Sequence, residues 1–311
     1  MPEASGFISD RVRSACGWVA GRARSVRIEA GALAPYAAGL PDGADLPAPD
    51  PATELVEGDR EARTAFVLCL DAINFGSGWW PTIRKRSGHS GYFTIAAGLT
   101  ERFRDGGPWS AAELTELRAA DIADVLGQDA AHPLMAHYAA ALNDVGERVG
   151  ADHGGRFATV VEAAGGSAVD LAGLLAEWRA FADVSTYDGR SIPFFKRAQI
   201  AAADLDRTGV VELRDLDRLT AFADNLVPHV LRLDGVLRFG PALAAKIEAG
   251  ELLEHGSAEE VELRACAVQA IERLAAESPL APAEIDGILW NRGGASHYKS
   301  LPRPRSRNTA Y

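Results

Sequence analysis

What this chain lacks narrows it before anything it contains. Its 311 residues include three cysteines, an odd number at no metal-binding spacing. Cys16, Cys69 and Cys266 therefore read as reduced, mostly core residues of a cytoplasmic protein rather than a disulfide framework or a zinc site. No run of about eighteen apolar residues occurs, so no transmembrane helix is expected. Near the N-terminus, CGWVA between Arg11, Arg13, Arg22 and Arg24 is too short and too interrupted for a signal peptide. Positive charge is also scarce: 32 Lys and Arg against 43 Asp and Glu leave a net charge of -11. Nucleic acid and anionic membranes are held mainly by basic surfaces, so neither is an expected partner. A free small molecule suits the chain better, and nothing implies a protein partner. Runs of β-branched residues are few and no repeat of fixed period is visible.

What is present is an alanine-rich chain, 47% hydrophobic, punctuated by Gly and Pro. That composition predicts a mainly α-helical protein with a few short strands. We expect one domain over residues 1–311. Its first sixty residues supply a helix over 7–24, a short strand at Val26 to Ile28, and a loop from Gly39 to Gly58 that wraps over the body. Pro41, Pro47, Pro49 and Pro51 mark that loop. Arg60 to Leu70 is a helix that delivers Asp71 to its end, and His89 to Ala97 reads as a hairpin or strand feeding a helix. Ser110-Ala-Ala-Glu113 has the form of a capping box, opening one amphipathic helix with Leu114, Leu117, Ile122, Val125 and Leu126 inward. Ser257-Ala-Glu-Glu260 repeats the device before a helix to about Ala276, with Val261, Ala265, Val268 and Ile271 inward. Helices are also expected at 132–149, 156–164 and 171–181.

Three stretches carry candidate chemistry. In LTAFADNLVPHVL, residues 219–231, Leu219, Phe222, Leu226 and Val230 recur at helical spacing, so Asp224 is buried with them. A buried carboxylate needs compensation, which makes it a site residue, a helix cap or the partner of Arg218 or Arg232. DAINFGSGWWP sets Asp71, Asn74 and Ser77 beside Phe75, Trp79 and Trp80. That is either a pocket for a flat, hydrogen-bonding ring or a tight turn with aromatic plugs. In SIPFFKRAQI, Pro193 suits the first turn of a helix. Lys196 and Gln199 share a face opposite Phe194, Phe195 and Ile200, a face that lines a polar cavity or is simply solvated. A fourth stretch, Asp204 to Asp215, places oxygen side chains at EF-hand positions with Gly209 sixth, so calcium competes there with a Gly turn leading to Leu219.

Taken in order, LDAINFGSGWWP, FFKRAQI, the Gly turn with LTAFADNLVPHVL, EVELRACAV and the tail IDGILWN…RPRSRNTAY resemble the queuosine salvage protein family, queuosine 5'-phosphate N-glycosylase/hydrolases. The similarity runs from about Phe66 to Tyr311. It implies a fold similar to helix-hairpin-helix DNA glycosylases and hydrolysis of the N-glycosidic bond of queuosine 5'-monophosphate. The reaction releases queuine without metal or cofactor. By motif, the resemblance implies that Asp224 is the catalytic carboxylate and that Phe222, Asp286, Trp290 and the adjacent Asn291 contact the base. The family pattern has an acid where Asn291 stands, and a His ahead of LDAINF where this chain has none before His89.

Breaking the C1'–N bond builds positive charge on the ribose, which a fixed carboxylate such as Asp224 stabilises more than the neutral ground state. Asp71, Asn74 and Lys196 are further base-side candidates. A 5'-phosphate needs cations, and Arg197, Arg303, Arg305, Arg307 and His297 are the available donors. The Arg-rich tail is either docked for that purpose or a frayed terminus. Two other readings remain at this point, a DNA base-excision glycosylase and a calcium-responsive binding module.

Overall fold

A computed structural model describes residues 7–43 and 47–311. Among these are fifteen α-helices and four strands of three or four residues, so the helical expectation holds. The helices are α1 (Ile8–Ala20), α2 (Ala30–Ala38), α3 (Arg60–Ala72), α4 (Gly91–Gly106), α5 (Ala111–Glu116), α6 (Ala119–Leu126), α7 (Pro133–His153) and α8 (Phe157–Ala163). They continue with α9 (Ala168–Ala176), α10 (Lys196–Arg207), α11 (Val227–Leu233), α12 (Pro241–Glu248), α13 (Ala258–Ala276), α14 (Pro282–Arg292) and α15 (Ser296–Lys299). Strand β1 (Val26–Ile28) pairs antiparallel with β4 (Leu237–Phe239), and β2 (Val184–Tyr187) with β3 (Arg190–Pro193).

Helix α13 is the spine. It touches α1, α2, α11, α14, β1, β2 and β4, and it buries Glu260, Glu262 and Arg264 along with its apolar stripe. A helix buried on all sides must compensate each charge it carries inward. Glu262 does so by accepting the backbone N–H groups of Arg24 at 2.9 Å, Ser25 at 2.6 Å and Val26 at 3.2 Å, and the Tyr187 hydroxyl at 2.7 Å. That carboxylate ties down the entry to β1, and it explains why the first helix stops at Ala20 instead of reaching residue 24.

Several boundaries differ from expectation for local reasons. Helix α2 was not expected, and it forms with Pro35 inside it, where a proline removes a backbone donor. Ser90 caps α4 directly, accepting from Phe93 N at 3.2 Å, so 89–97 contains no strand. The Ser110–Glu113 capping box forms, but the helix it opens ends at Glu116. Asp121 then accepts from Arg118 N at 2.8 Å and starts a second helix. Likewise α9 ends at Ala176, with a short 3-10 turn over Arg179–Phe181. Pro193 closes strand β3 opposite Val184 rather than opening a helix. The hairpin tip is Asp188-Gly189, both at positive φ (45° and 76°), as the two-residue turn favoured by twisted strands requires.

The 39–58 loop has no regular element among its described residues, and it lies on the body. Leu55 packs on the core, Arg104 donates to Pro51 O at 2.5 Å, and Arg207 pairs with Glu54. The calcium reading of 204–215 is overturned by the helix. Asp204 and Asp206 sit in the last turn of α10, where Asp204 pairs with Arg207 at 3.0 Å. Asp206 accepts from Leu213 N at 2.7 Å, while Asp215 accepts the Ser167 hydroxyl and Ala168 N, both at 2.7 Å, at the start of α9. Among the described residues no three His, Cys, Asp or Glu side chains are placed to share a metal ion.

Candidate functional site

Lys196 is the centre of the arrangement. It is the first residue of α10, buried, and its ammonium donates to Asn74 O at 3.2 Å. Burial pulls its pKa down, and the charges of Asp224, Asp71 and Asp286 pull it back up. The charges of three buried acids from three separate segments of the chain thus act on one buried cation.

Asp224 does not sit on a helix. Residues 219–226 are irregular, and the helix begins at Val227. The helical spacing of Leu219, Phe222 and Leu226 misled because Asp224 itself stops the helix from extending backward. Its Oδ1 accepts from Leu226 N at 2.8 Å and Val227 N at 2.9 Å, a side-chain cap that competes with helical backbone bonding. Both bonds fall on one oxygen and leave Oδ2 outside the cap. Burial raises the Asp224 pKa, against the lowering effects of Lys196, the two N–H groups and Arg303. The cap and the site readings of this residue are therefore compatible.

Asp286 lies buried on α14 and accepts from Phe222 N at 3.0 Å, which fixes the half-exposed Phe222 beside it. Burial and then the charge of Asp224 push its carboxyl well above the usual range. Asp71, near the end of α3, is pushed well up by burial and then by Asp204. Its Oδ1 accepts from the Asn74 amide at 3.3 Å, while its Oδ2 is buried with no hydrogen-bond partner.

One helical turn beyond Asp286, Trp290 stands half-buried, edge-on to Tyr92 at 5.7 Å and Phe93 at 5.9 Å. Tyr92 and Phe93 were not foreseen, because the first turn of α4 was read as a strand. Of the aromatics of DAINFGSGWWP, Trp80 packs against Gly91 at the start of α4, while Phe75 and Trp79 go elsewhere. Phe75 is a core plug packed edge-on against Tyr138 at 5.0 Å, and Trp79 lies 5.3 Å from His137. The glycines there serve close approach: a Cβ at Gly78 would lie 2.4 Å from Ser306 O of the C-terminal tail. Asp71 and Asn74 alone from that motif join the Lys196 cluster.

The tail is docked, not frayed. Asn225 donates to Pro304 O at 2.6 Å, Leu253 N to Arg305 O at 2.8 Å, and Gly76 N to Tyr311 O at 3.1 Å. Arg197 is part of this docking. It donates to Ala310 O at 3.3 Å, Thr309 O at 2.6 Å and Ala72 O, under the ring of Phe75. Burial lowers its pKa to about 10. Its guanidinium is thus engaged by backbone carbonyls. Arg303 and Arg305 are half-buried, each with a buried Nε that has no partner. Burial lowers the pKa of both, and Asp224 acts on Arg303 in the opposite sense. Arg307, His297 and Asn291 are exposed.

Two surface clefts, of about 380 and 370 Å³, lie elsewhere, and none of these candidates lines them. The first contains Asp129 and His132, but both are committed to caps. Asp129 accepts from Ala131 N at 2.9 Å and His132 Nδ1 from Leu134 N at 3.2 Å. Neither of these two clefts holds Lys196 or the buried acids around it.

The sequence profile of the queuosine salvage protein family matches residues 55–311. The chain belongs to that family. It is 35% identical to a queuosine 5'-phosphate N-glycosylase/hydrolase of Sphaerobacter thermophilus over 81% of this chain and 82% of the relative. The protein of that name from Mus musculus is 29% identical over 82% of this chain and 83% of its own. The one from Bos taurus is 30% identical over 69% and 67%. The profile begins at residue 55, so the family match takes in every candidate residue and leaves α1, β1 and α2 outside. Sequence reading missed one further group in this family member, the buried pair Asp183 and Arg264, whose residues lie in segments that no motif joins. No helix among the described residues is long and apolar enough to cross a membrane.

Proposed function

We propose that this chain hydrolyses the N-glycosidic bond of queuosine 5'-monophosphate, releasing queuine and ribose 5-phosphate. The observation that carries the reading is Asp224: a buried carboxylate with one oxygen tied to two backbone N–H groups, in a cluster with Lys196, Asp71 and Asp286, in a chain of this family. The relatives' names supply the substrate, and the same reading includes one domain with a fold similar to helix-hairpin-helix DNA glycosylases. Its three buried, unpaired thiols suit a reducing cytoplasm.

In this mechanism Asp224 Oδ2 lies below the ribose and stabilises the oxocarbenium-like charge at C1' and the ring oxygen. The two N–H bonds on Oδ1 hold it in place without reorganisation. Water adds its oxygen to C1' as the C1'–N bond breaks; it gives up one proton and the departing ring nitrogen takes one up, so ribose 5-phosphate gains a hydroxyl and queuine leaves as the neutral base. The Lys196 ammonium, already lowered in pKa by burial, offsets the negative charge of the leaving 7-deazaguanine. Trp290 with Tyr92 and Phe93 stacks the base, and Asp286 and Asp71 accept its donor groups. Arg303 and Arg305, whose buried Nε atoms lack partners, take the 5'-phosphate; Arg197 instead anchors the tail that carries them. Asn291, Arg307 and His297 contribute at most at the rim.

The experiment is Asp224→Asn. Base release should fall by about a thousandfold or more while the variant stays folded and still binds free queuine. Turnover at the wild-type rate would remove Asp224 from the mechanism. Because burial raises the pKa of Asp224, kcat in the wild type should decline as pH falls at a point above the ordinary Asp range of about 4.

A further inference from the structure

Asp224 and Lys196 come from segments that do not follow one another in the fold, so something must hold them in register. The ion pair Asp183–Arg264 touches both. Arg264 on α13 donates Nη1 to Asp183 Oδ1 at 3.0 Å and Nη2 to Asp183 Oδ2 at 2.6 Å, and both side chains are 1% exposed. Its remaining arm, Nε, donates at 3.0 Å to the carbonyl of Ala223, the residue before Asp224. Asp183 in turn accepts the backbone N–H of Lys196 on Oδ2 at 3.1 Å, and its own carbonyl accepts from Phe194 N at 2.9 Å and Phe195 N at 3.3 Å. Those bonds hold Phe195 in the left-handed region, at φ 50°, immediately before Lys196. A non-glycine residue there is strained and persists only where its surroundings impose it. The guanidinium is itself clamped, with the Phe194 ring at 3.9 Å and the ring of the C-terminal Tyr311 at 4.6 Å.

We propose that Asp183–Arg264 is a positioning pair that sets Asp224 against Lys196, with Tyr311 locking the guanidinium in its plane. The planar fork matters because three bonds in fixed directions join two strands of the site; a point charge of the same sign does not. Misplacement of reacting groups by about 1 Å can cost on the order of a hundredfold in rate.

The inference rests on Asp224 and Lys196 as the reacting pair, so Asp224→Asn is measured alongside. The decisive variant is Arg264→Lys, which keeps the buried positive charge but offers one nitrogen where three bonds are needed. We expect kcat per folded molecule to fall about 30-fold or more, with KM and the affinity for free queuine within about threefold of wild type. A purely structural role would change the folded fraction and leave kcat per folded molecule unchanged, and that result overturns the proposal. If Arg264→Lys does not fold, Tyr311→Leu decides in its place. It leaves every side-chain charge of the network present and removes the ring over Arg264 together with the hydroxyl that bonds Glu260 beside it, so a drop in kcat of about tenfold at constant KM supports the proposal, and an unchanged kcat overturns it. An inactive Asp224→Asn with a fully active Arg264→Lys sinks only the positioning pair. An active Asp224→Asn sinks the functional reading beneath it.

Discussion

Two sets of buried acids stand side by side in this molecule, and they differ in what their oxygens do. Glu262 and Asp183 have both carboxylate oxygens engaged: Glu262 by three N–H groups and a hydroxyl, Asp183 by a two-pronged guanidinium and an N–H. Asp71 keeps a buried Oδ2 with no partner, and the backbone bonds to Asp224 and Asp286 fall on Oδ1 alone. Leaving a buried acceptor unsatisfied costs about 1–3 kcal/mol, more if charged, so such oxygens persist where a ligand is to satisfy them. An acid with all its oxygens committed is a strut, while one with an oxygen left over is receptive. Glu260 and Glu272 mark the limit of the rule: Glu260 is fully buried and its Oε1 accepts no hydrogen bond, but that oxygen lies 3.7 Å from the Arg264 guanidinium. For Glu272 the reason is different. Its Oε1 also lacks a partner, but the residue is only half-buried and pairs through Oε2 with Arg13 at 2.9 Å.

The contrast is broken or sharpened most strongly by exchanging charge for shape in each set. Asp224→Asn should lose about 4 kcal/mol of transition-state stabilisation, the thousandfold drop above, while its thermal midpoint stays near or above wild type. Glu262→Gln should do the reverse. Turning part of an acceptor carboxylate into a donor amide, facing three backbone N–H groups, should cost about 3 kcal/mol of stability and leave kcat per folded molecule unchanged. Thermal melts and turnover on the same two samples check both, and a Glu262→Gln variant with wild-type stability would erase the distinction.

A smaller effect is expected at the tail. Arg303→Gln should raise KM about tenfold for the 5'-phosphorylated substrate, with little change for the unphosphorylated nucleoside if that compound is turned over or bound. Equal loss on both would move the phosphate away from Arg303. His297→Ala, on an exposed residue, provides the matching control and should change neither.

Which parts were legible in the sequence follows from how local their causes are. Helix α13 and the start of α5 were read correctly because a Ser cap and a buried stripe lie within a few residues of one another. The Asp188-Gly189 turn is an equally local signal, but with Pro193 read as the first turn of a helix the sequence offers no second strand for it to join. The burial of Asp224 and its compensation were legible, since an Asp in an apolar run must be compensated. Its backbone was not, because the spacing of Leu219, Phe222 and Leu226 satisfies a helix and an irregular buried segment alike. The EF-hand pattern failed because α10 keeps its helical period through Asp204 and Asp206, which turns a loop's worth of oxygens into separate caps. Arg197 shows the remaining difficulty. A cation that binds phosphate and one that binds backbone carbonyls have the same letter, and only the position of the tail separates them. The Asp183–Arg264 pair spans 81 residues and carries no local signal at all.

The smallest effect has the opposite sign to most mutations, which makes it a sharp test of the receptive class. Burial and the charge of Asp204 raise the Asp71 pKa in the folded chain above its value of about 4 in the unfolded chain. A carboxyl of that kind contributes stability that is fully present below the unfolded pKa and is lost as pH rises through the folded one. At neutral pH the wild type therefore carries a destabilising term that the neutral amide of Asp71→Asn does not have. The variant should be more stable than wild type by about 1 kcal/mol at pH 7, and the gap in thermal midpoint should narrow as pH is lowered toward 4. It should also bind queuine more weakly, because the oxygen that lacks a partner in the free protein is the one offered to the base. If Asp71→Asn is destabilised at pH 7 to the same extent as Glu262→Gln, Asp71 belongs with the struts, and the leftover oxygen is no guide to where the substrate sits.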